Sequence, residues 1–305
     1  MTFLWTGRDD GPGDAHLRWH TGVRVYSREP GKGVVLIGFA SDAGVRRNCG
    51  RAGAAAGPYA LREALAPLAL HDGVVVEDAG TVTVEGDALE SGQAALGRVV
   101  TSALDNGRLP VVLGGGHEVA YGTYSGLAAS ARRAGRRVGI LNLDAHFDLR
   151  EARRPTSGTP FRQILVQERA RGADVRYDVL GISRPNNTRA LFDAAESFGV
   201  RYLLDEDCTR AAVAGFVDDM VADVDLVYLT IDLDVLPAAV APGVSAPAGY
   251  GVPLDVIAAA VRRVARSGKL AVADVAELNP GYDVDGRTAR TAARLIDTLV
   301  AGAGG

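Results

Sequence analysis

The chain has 305 residues, of which 47% are hydrophobic, so it is long enough to bury a large core. Its 33 basic and 37 acidic residues give a formal net charge of -4. This balance argues against a nucleic-acid partner, because sequence-independent binding to phosphates needs an excess of positive charge. We therefore expect a small-molecule partner.

The cysteine content and the distribution of apolar residues predict the compartment. Cys49 and Cys208 are the two cysteines, and they lie far apart without the spacing of metal ligands. This pattern favours a reducing compartment and argues against a disulfide framework or a thiolate zinc site. No apolar stretch reaches the roughly 18 residues of a membrane helix, and no secretory signal is visible. These features predict a cytoplasmic protein that has no membrane partner and in which neither cysteine is catalytic.

Short apolar runs alternate along the chain with longer segments of helical periodicity, which is typical of a parallel sheet flanked by helices. The predicted strands are residues 34–39, 74–77, 110–113, 138–143, 176–182, 200–204, 225–231 and 269–275. The predicted helices are residues 59–70, 89–106, 119–134, 161–171, 188–198, 211–222, 254–267 and 288–300. We expect an N-terminal lead segment, residues 1–30, followed by a single catalytic domain, residues 31–305.

Unusual segments follow five of the predicted strands. They read GGGHE after the third strand, DAHFD after the fourth, ISRPNN after the fifth, DLD after the seventh and AELNP after the eighth. Ligands bind at the carboxyl ends of the strands in open α/β sheets. We therefore expect these five segments to meet at one edge of one sheet.

The acidic and histidine residues in these segments have the spacing of metal ligands. Alternate residues of an extended chain point to the same side, so residues 144, 146 and 148 share one face, as do residues 232 and 234. The predicted ligands are His117, Asp144, His146, Asp148, Asp232 and Asp234. Each of them alone is compatible with a helix cap or a turn. Together with Glu277, however, five carboxylates would crowd without compensating cations, which costs several kcal/mol per buried charge.

The composition of this set predicts the metal and the reaction. Four aspartates and two histidines, without cysteine, suit manganese better than structural zinc. Two such ions about 3.5 to 4 Å apart can lower the pKa of a shared water and present hydroxide to an electrophilic carbon. The set therefore indicates hydrolysis without a protein nucleophile.

The motifs resemble those of the manganese-dependent ureohydrolases, the family of arginases and agmatinases. The resemblance rests on GGGHE at 114–118, NLDAHFD at 142–148, TIDLDVL at 230–236, APGVSAP at 241–247 and ELNP at 277–280, and it extends from residue 34 to residue 299. It implies a three-layer α/β/α fold with a mostly parallel eight-stranded sheet, two Mn²⁺ ions per chain, and a homo-oligomer that is a trimer or a hexamer.

The resemblance also implies a role for each residue of the predicted site. His117 and Asp148 would bind one manganese ion, and His146 and Asp234 the other. Asp144 and Asp232 would bridge the two ions. The catalytic residues would be Asp148, which passes a proton to the departing nitrogen, and Glu277, which faces the cationic group of the substrate.

The loop after the fourth strand distinguishes branches of this family. Arginases carry a catalytic His there, whereas this chain has Phe161 at that position. The segments DAHFDLR, SGTPFRQIL and GISRPNNT look like those of the formimidoylglutamases. That branch hydrolyses N-formimidoyl-L-glutamate to L-glutamate and formamide in histidine degradation.

The substrate of that branch has two carboxylates, which call for cationic partners. Arg150 and Arg184 stand where arginases have a neutral residue and an acid, and a guanidinium can bind a carboxylate through two parallel hydrogen bonds. Ser157 and Asn187 are further candidates for hydrogen bonds to the substrate. The alternatives are another guanidino or amidino hydrolase, such as a guanidinobutyrase, an agmatinase or an arginase-like enzyme, and a non-catalytic metal-binding homologue. The second set of aspartates argues against a zinc deacetylase.

Overall fold

A computed structural model describes residues 3–71 and 73–304. In this part of the chain, nine strands form one sheet in which every pairing between strands is parallel. The strands are β1 (Arg24–Val25), β2 (Val34–Ala40), β3 (Val76–Thr83), β4 (Leu109–Leu113), β5 (Val138–Leu143), β6 (Val175–Ile182), β7 (Arg201–Leu204), β8 (Leu226–Asp232) and β9 (Leu270–Ala276). Their order across the sheet is β1-β3-β2-β4-β9-β8-β5-β6-β7.

The predicted α/β fold is confirmed, with two differences in the sheet. The additional strand, β1, pairs with β3 at the sheet edge. It has only two residues, both exposed, so it leaves no apolar pattern in the sequence. The second predicted strand lies later in the chain, because pairing with β2 extends through the polar residues up to Thr83.

Ten α-helices surround the sheet in the described residues. They are α1 (Trp19–Gly22), α2 (Ala43–Arg47), α3 (Gly57–Leu65), α4 (Leu89–Asp105), α5 (Val119–Ala129), α6 (Pro160–Ala170), α7 (Arg189–Phe198), α8 (Arg210–Asp223), α9 (Leu254–Ala265) and α10 (Arg287–Ala303). None of the described helices combines the length and the apolar character that crossing a bilayer requires.

The helices cover the sheet on both faces and create two apolar cores. Helices α3, α8, α9 and α10 pack on one face, and α4, α5, α6 and α7 pack on the other. Strand β2 shows the consequence, since all of its residues are buried: Leu36 faces the first core, whereas Ile37 and Phe39 face the second. A parallel sheet covered in this way is the middle layer of a three-layer fold.

The lead segment contacts the rest of the protein. Trp19 is fully buried in the first core, and its indole Nε1 donates a hydrogen bond of 3.3 Å to Asp297 on α10. Together with β1, these contacts attach the segment to the sheet. Its division from the catalytic domain at residue 30 stays a prediction.

A buried ion pair connects helix α3 to strand β3. Arg62 is fully buried and donates through Nη2 and Nε to the two carboxylate oxygens of Asp78, at 2.8 and 2.9 Å. The same Nη2 donates to the carbonyl oxygen of Gly80 at 2.9 Å, and Trp5 Nε1 donates to Asp78 at 2.9 Å. The pair is therefore well satisfied, and the loss of one partner would leave an uncompensated buried charge.

We expect Arg62→Ala to lower the free energy of unfolding by about 3–5 kcal/mol, the usual cost of breaking a buried pair from one side. Urea denaturation followed by circular dichroism measures this change. The matched control is Arg294→Ala, which removes a pair to Asp297 whose arginine is 68% exposed. The control should cost less than about 1 kcal/mol. Equal losses for the two variants would contradict the structural role of Arg62.

Candidate metal centre and active site

The six predicted metal ligands meet at one edge of the sheet. Strands β4, β9, β8, β5 and β6 are neighbours and run in the same direction, so their carboxyl ends lie side by side. Asp144 follows β5 directly, and Asp232 is the last residue of β8. His117 follows a glycine turn after β4, in which a Cβ atom on Gly115 would lie 1.8 Å from the carbonyl oxygen of Ser41. Only glycine fits there, and this close approach brings His117 to the other ligands.

The ligand atoms form two groups that share one residue. His117 Nδ1 lies 3.1 Å from Asp144 Oδ2, 2.9 Å from Asp148 Oδ2 and 3.1 Å from Asp232 Oδ2. His146 Nδ1 lies 3.0 Å from Asp234 Oδ2 and 3.4 Å from Asp144 Oδ1. One group therefore contains residues 117, 144 and 148, and the other contains residues 144, 146 and 234. Asp144 belongs to both groups and has a carboxylate oxygen directed to each histidine.

The surroundings of His117 fit a divalent cation. Its Nε2 lies 3.0 Å from Thr230 Oγ1, whereas the buried Nδ1 has no hydrogen-bond partner. When Thr230 accepts the Nε2 hydrogen, the Nδ1 lone pair faces three carboxylates, an arrangement that is repulsive unless a cation lies between them. Imidazole nitrogens combined with carboxylate oxygens are suitable ligands for manganese.

Burial sets the proton affinities of this cluster when no ion is bound. Removal from water raises the pKa of Asp148 to about 6, helped by the charge of Asp144, and it also raises the pKa of Asp232 and Asp234. Burial acts the same way on Asp144, but its proximity to the two histidines prevails and lowers its pKa. The carboxylates in turn raise the pKa of both histidines despite burial. The cluster thus attracts protons, which bound cations would displace.

Glu277 lies beside this cluster in a strained conformation. It follows β9 and has a φ of 70°, and Asp148 has a φ of 48°; such values are uncommon for residues other than glycine and concentrate at functional sites. Glu277 Oε1 accepts a hydrogen bond of 2.8 Å from the backbone N–H of His117, while Oε2 is buried without a partner. Burial, together with the neighbouring Glu118, raises the pKa of Glu277 to about 8. Oε2 therefore lacks the compensation that a cationic group would supply.

A cavity of about 370 Å³ opens above these side chains. Its lining consists of Asn48, Cys49, Gly50, Arg51, His117, His146, Asp148, Arg150, Ser157, Asp232, Asp234, Ser245, Ala246 and Glu277. The two catalytic candidates and most of the predicted metal ligands therefore face one space that is large enough for a small molecule.

The four predicted substrate-binding residues divide into two pairs. Arg150 and Ser157 line the cavity, but Arg184 and Asn187 do not. The guanidinium carbon of Arg184 lies 5.5 Å from the ring centroid of Phe192, on an exposed part of the chain.

The side chain of Asn187 forms hydrogen bonds with the backbone of the loop that follows β5. Its Oδ1 accepts a hydrogen bond from Phe147 N at 3.2 Å, and its Nδ2 donates to the carbonyl oxygens of Ala145 and Ser183 at 2.9 Å each. Its polar atoms therefore hold the loop that carries His146 and Asp148.

Phe161, which stands where arginases have a catalytic His, is not among the residues that line the cavity. Its ring is fully buried, lies 5.3 Å from the His117 ring in an edge-on contact, and stacks on Tyr177 at 4.6 Å. The side chain supports His117 from the core, so this position supplies no proton carrier to the cavity.

The sequence interpretation missed two parts of the cavity wall, residues 48–51 and residues 245–246. A signal existed for the first, because these residues follow the predicted strand at 34–39 and thus belong to the same sheet edge. They contain no acidic or histidine residues, so they lack the pattern of metal ligands. Cys49, interpreted as incidental, is exposed and lies in this wall.

A family model described as the arginase family matches residues 32–302. The chain belongs to the arginase family. It is accordingly a hydrolase of that family. The formimidoylglutamase of Nocardia farcinica is 64% identical over 299 residues, which cover 97% of this chain and 95% of the relative.

Solved structures of relatives share the fold. Trypanosoma cruzi formiminoglutamase with Mn²⁺ is 27% identical, has a TM-score of 0.80, and matches over 90% of this chain and 94% of its own. The formimidoylglutamase of Bacillus subtilis, 22% identical, has a TM-score of 0.85 over 99% of this chain and 96% of its own, a likeness of fold.

The metal-ligand roles stay predictions, and Asp232 offers a direct test. We expect Asp232→Asn to bind markedly less manganese than the parent, because the amide removes a negative charge from the ligand group. Metal content after dialysis against graded manganese concentrations, measured by mass spectrometry, gives the affinity. Asp193→Asn, at an exposed aspartate on α7, is the matched control and should bind as the parent does. A normal affinity in Asp232→Asn would remove this residue from the centre.

Proposed function

We propose that this chain is a dimanganese hydrolase that cleaves N-formimidoyl-L-glutamate to L-glutamate and formamide. The observation that carries the proposal is one cavity in which an acidic floor and a cationic wall face the same space. The floor offers the unpartnered Glu277 Oε2 beside the predicted metal ligands, and the wall offers Arg150. The extensive similarity to a relative named formimidoylglutamase supports the same substrate.

The charges of the cavity match those of this substrate. Formimidoylglutamate has one amidinium group and two carboxylates. Glu277 can bind the amidinium, since a carboxylate with a free buried oxygen is stabilised by a cation. Arg150 can bind a carboxylate, because it lies in the cavity wall and its guanidinium has no carboxylate partner among the described residues. An arginine substrate would place a free cationic amine in the same region of the wall.

The proposed mechanism assigns two tasks to side chains of this chain. Two divalent cations, when bound, supply a water of lowered pKa as the nucleophile. Glu277 Oε2 orients the amidinium so that its carbon accepts the water oxygen. Asp148 Oδ1 takes up a proton and delivers it to the α-nitrogen, and the bond between that nitrogen and the formimidoyl carbon breaks. Glutamate leaves as the amine, and the formimidoyl group leaves as formamide.

A substrate panel tests the proposal. We expect kcat/KM to be higher for formimidoylglutamate than for arginine, agmatine or guanidinobutyrate. Hydrolysis of formimidoylglutamate is measured through the release of glutamate and formamide, and hydrolysis of the other three substrates through the release of urea. Arg150→Ala should lower kcat/KM for formimidoylglutamate roughly ten- to hundredfold, since a hydrogen-bonded charged pair contributes about 1.5–3 kcal/mol.

The Arg184→Ala variant and the substrate preference of the parent enzyme provide two further tests. Arg184→Ala should cause a smaller loss than Arg150→Ala, because Arg184 lies outside the cavity wall. A parent enzyme that prefers arginine or agmatine would contradict the proposed substrate and leave the hydrolase assignment intact.

Glu277→Gln tests the binding of the cationic group. The amide keeps the size of the side chain and removes its charge, so we expect kcat/KM to fall by orders of magnitude while manganese content stays at the parental value. Steady-state kinetics together with metal analysis measure both effects. If the manganese is lost along with activity, Glu277 serves the metal centre rather than the substrate.

A further inference from the structure

A second arginine, Arg51, lies in the cavity wall. It belongs to the segment that leaves the carboxyl end of β2 through α2, and β2 is next to β4 in the sheet. Arg51 lines the same cavity as Arg150 and Glu277.

The backbone of Arg51 is fixed by the two loops that follow β8 and β9. Its N–H donates to Ser245 Oγ at 2.9 Å, and its carbonyl oxygen accepts a hydrogen bond of 3.1 Å from Asn279 Nδ2. The preceding residue, Gly50, packs so tightly that a Cβ atom there would lie 2.6 Å from Ser245 Oγ. Because Asn279 is two residues from Glu277, the same loop positions the acidic and the cationic side of the cavity.

The charge of Arg51 is available to a ligand. Within residues 3–71 and 73–304, its guanidinium has no carboxylate within 4.0 Å, and the same holds for Arg150. The nearby arginines of α2 differ: Arg46 pairs with Asp42, and Arg47 pairs with Asp87 at 2.7 Å. Among these three arginines, Arg51 lines the cavity and has no carboxylate partner in the described part of the chain.

An aromatic ring restricts the guanidinium group. The guanidinium carbon of Arg51 lies 4.9 Å from the ring centroid of Tyr282, within the range of a cation–π contact. Such a contact orients the planar group without neutralising its charge, and it leaves the N–H donors at the rim of the plane available. A guanidinium held in this way is suited to bind a carboxylate through two hydrogen bonds.

We propose that Arg51 binds one of the two carboxylates of the substrate and that Arg150 binds the other. This inference rests on the proposed function, and it assigns the second cationic position to Arg51 instead of Arg184. Two arginines and one glutamate in one cavity then match a substrate with two carboxylates and one amidinium. The pairing makes Arg51 a determinant of specificity for dicarboxylic substrates.

The first experiment measures binding and turnover in Arg51→Ala. We expect the KM for formimidoylglutamate and the inhibition constant of glutamate to rise together by about tenfold or more, the effect of losing a charge-assisted pair. The kcat and the manganese content should change little, since Arg51 is not among the predicted metal ligands. Arg51→Lys should recover only part of the loss, because an ammonium cannot reproduce the planar fork. Arg189→Ala, whose side chain is 94% exposed on α7, is the matched control.

The second experiment removes each substrate carboxylate in turn. N-formimidoylglutamine replaces the γ-carboxylate by an amide, and N-formimidoyl-γ-aminobutyrate lacks the α-carboxylate. The penalty of Arg51→Ala should persist with one analogue and disappear with the other, and Arg150→Ala should show the opposite pattern. A penalty that is equal for both analogues would mean that Arg51 acts through the loop and not on a carboxylate.

The inference and the proposed function fail in distinguishable ways. If the parent does not hydrolyse formimidoylglutamate, the proposed function is wrong, and calorimetric binding of glutamate to the manganese-loaded parent and to Arg51→Ala still measures the carboxylate contact. If the parent hydrolyses formimidoylglutamate and Arg51→Ala behaves like Arg189→Ala in KM and in glutamate binding, the role of Arg51 is wrong and the function stands.

Discussion

Mutual repulsion between buried carboxylates is the constraint around which this site is arranged. Asp144, Asp148, Asp232 and Asp234 are at most 9% exposed, and three of them have carboxylate oxygens within 3.1 Å of one imidazole nitrogen. Such a cluster is stable only when cations or protons neutralise it, because charges removed from water without compensation cost several kcal/mol each. Without bound ions, the same repulsion and burial raise the pKa values of Asp148 and Asp232, so that protons take the place of cations.

The scaffold holds these groups together by means that are individually ordinary. The parallel order of the central strands brings their carboxyl ends to one edge, and the two covered faces keep the sheet rigid. Further contacts fix the loops that carry the predicted ligands. Thr230 lies within hydrogen-bond distance of His117, Asn187 binds the backbone of the loop after β5, and Gly115 allows the tight turn after β4. The free energy of folding thus includes the cost of bringing like charges together, and bound cations would return part of it.

Local patterns predicted the strands and the His and Asp residues that the structure brings together, whereas the wall of the cavity required the tertiary structure. A buried strand and an i, i+2, i+4 spacing are both local features, so residues 144, 146 and 148 could be placed from sequence. Arg184 and Asn187 follow a strand of the same edge, but the direction of a side chain in a loop depends on contacts such as the stacking of Arg184 on Phe192. The same dependence concealed Arg51, whose position is set by loops about 200 residues away in the chain.

The arrangement of charge in the cavity explains how one fold can serve substrates with different tails. Glu277 and the predicted metal ligands lie at or just after the carboxyl ends of strands, and in the proposed mechanism they act on the amidine or guanidine group of the substrate. Arg51 and Arg150 lie in loops, which tolerate substitution better than strands do. Exchange of these loop residues can change the preferred tail without disturbing the reactive centre. Asn279 limits which exchanges are possible, because it donates a hydrogen bond to the carbonyl oxygen of Arg51 and lies two residues after Glu277 in the same loop. A replacement of the segment around Arg51 would therefore have to preserve that contact to keep the acid in place.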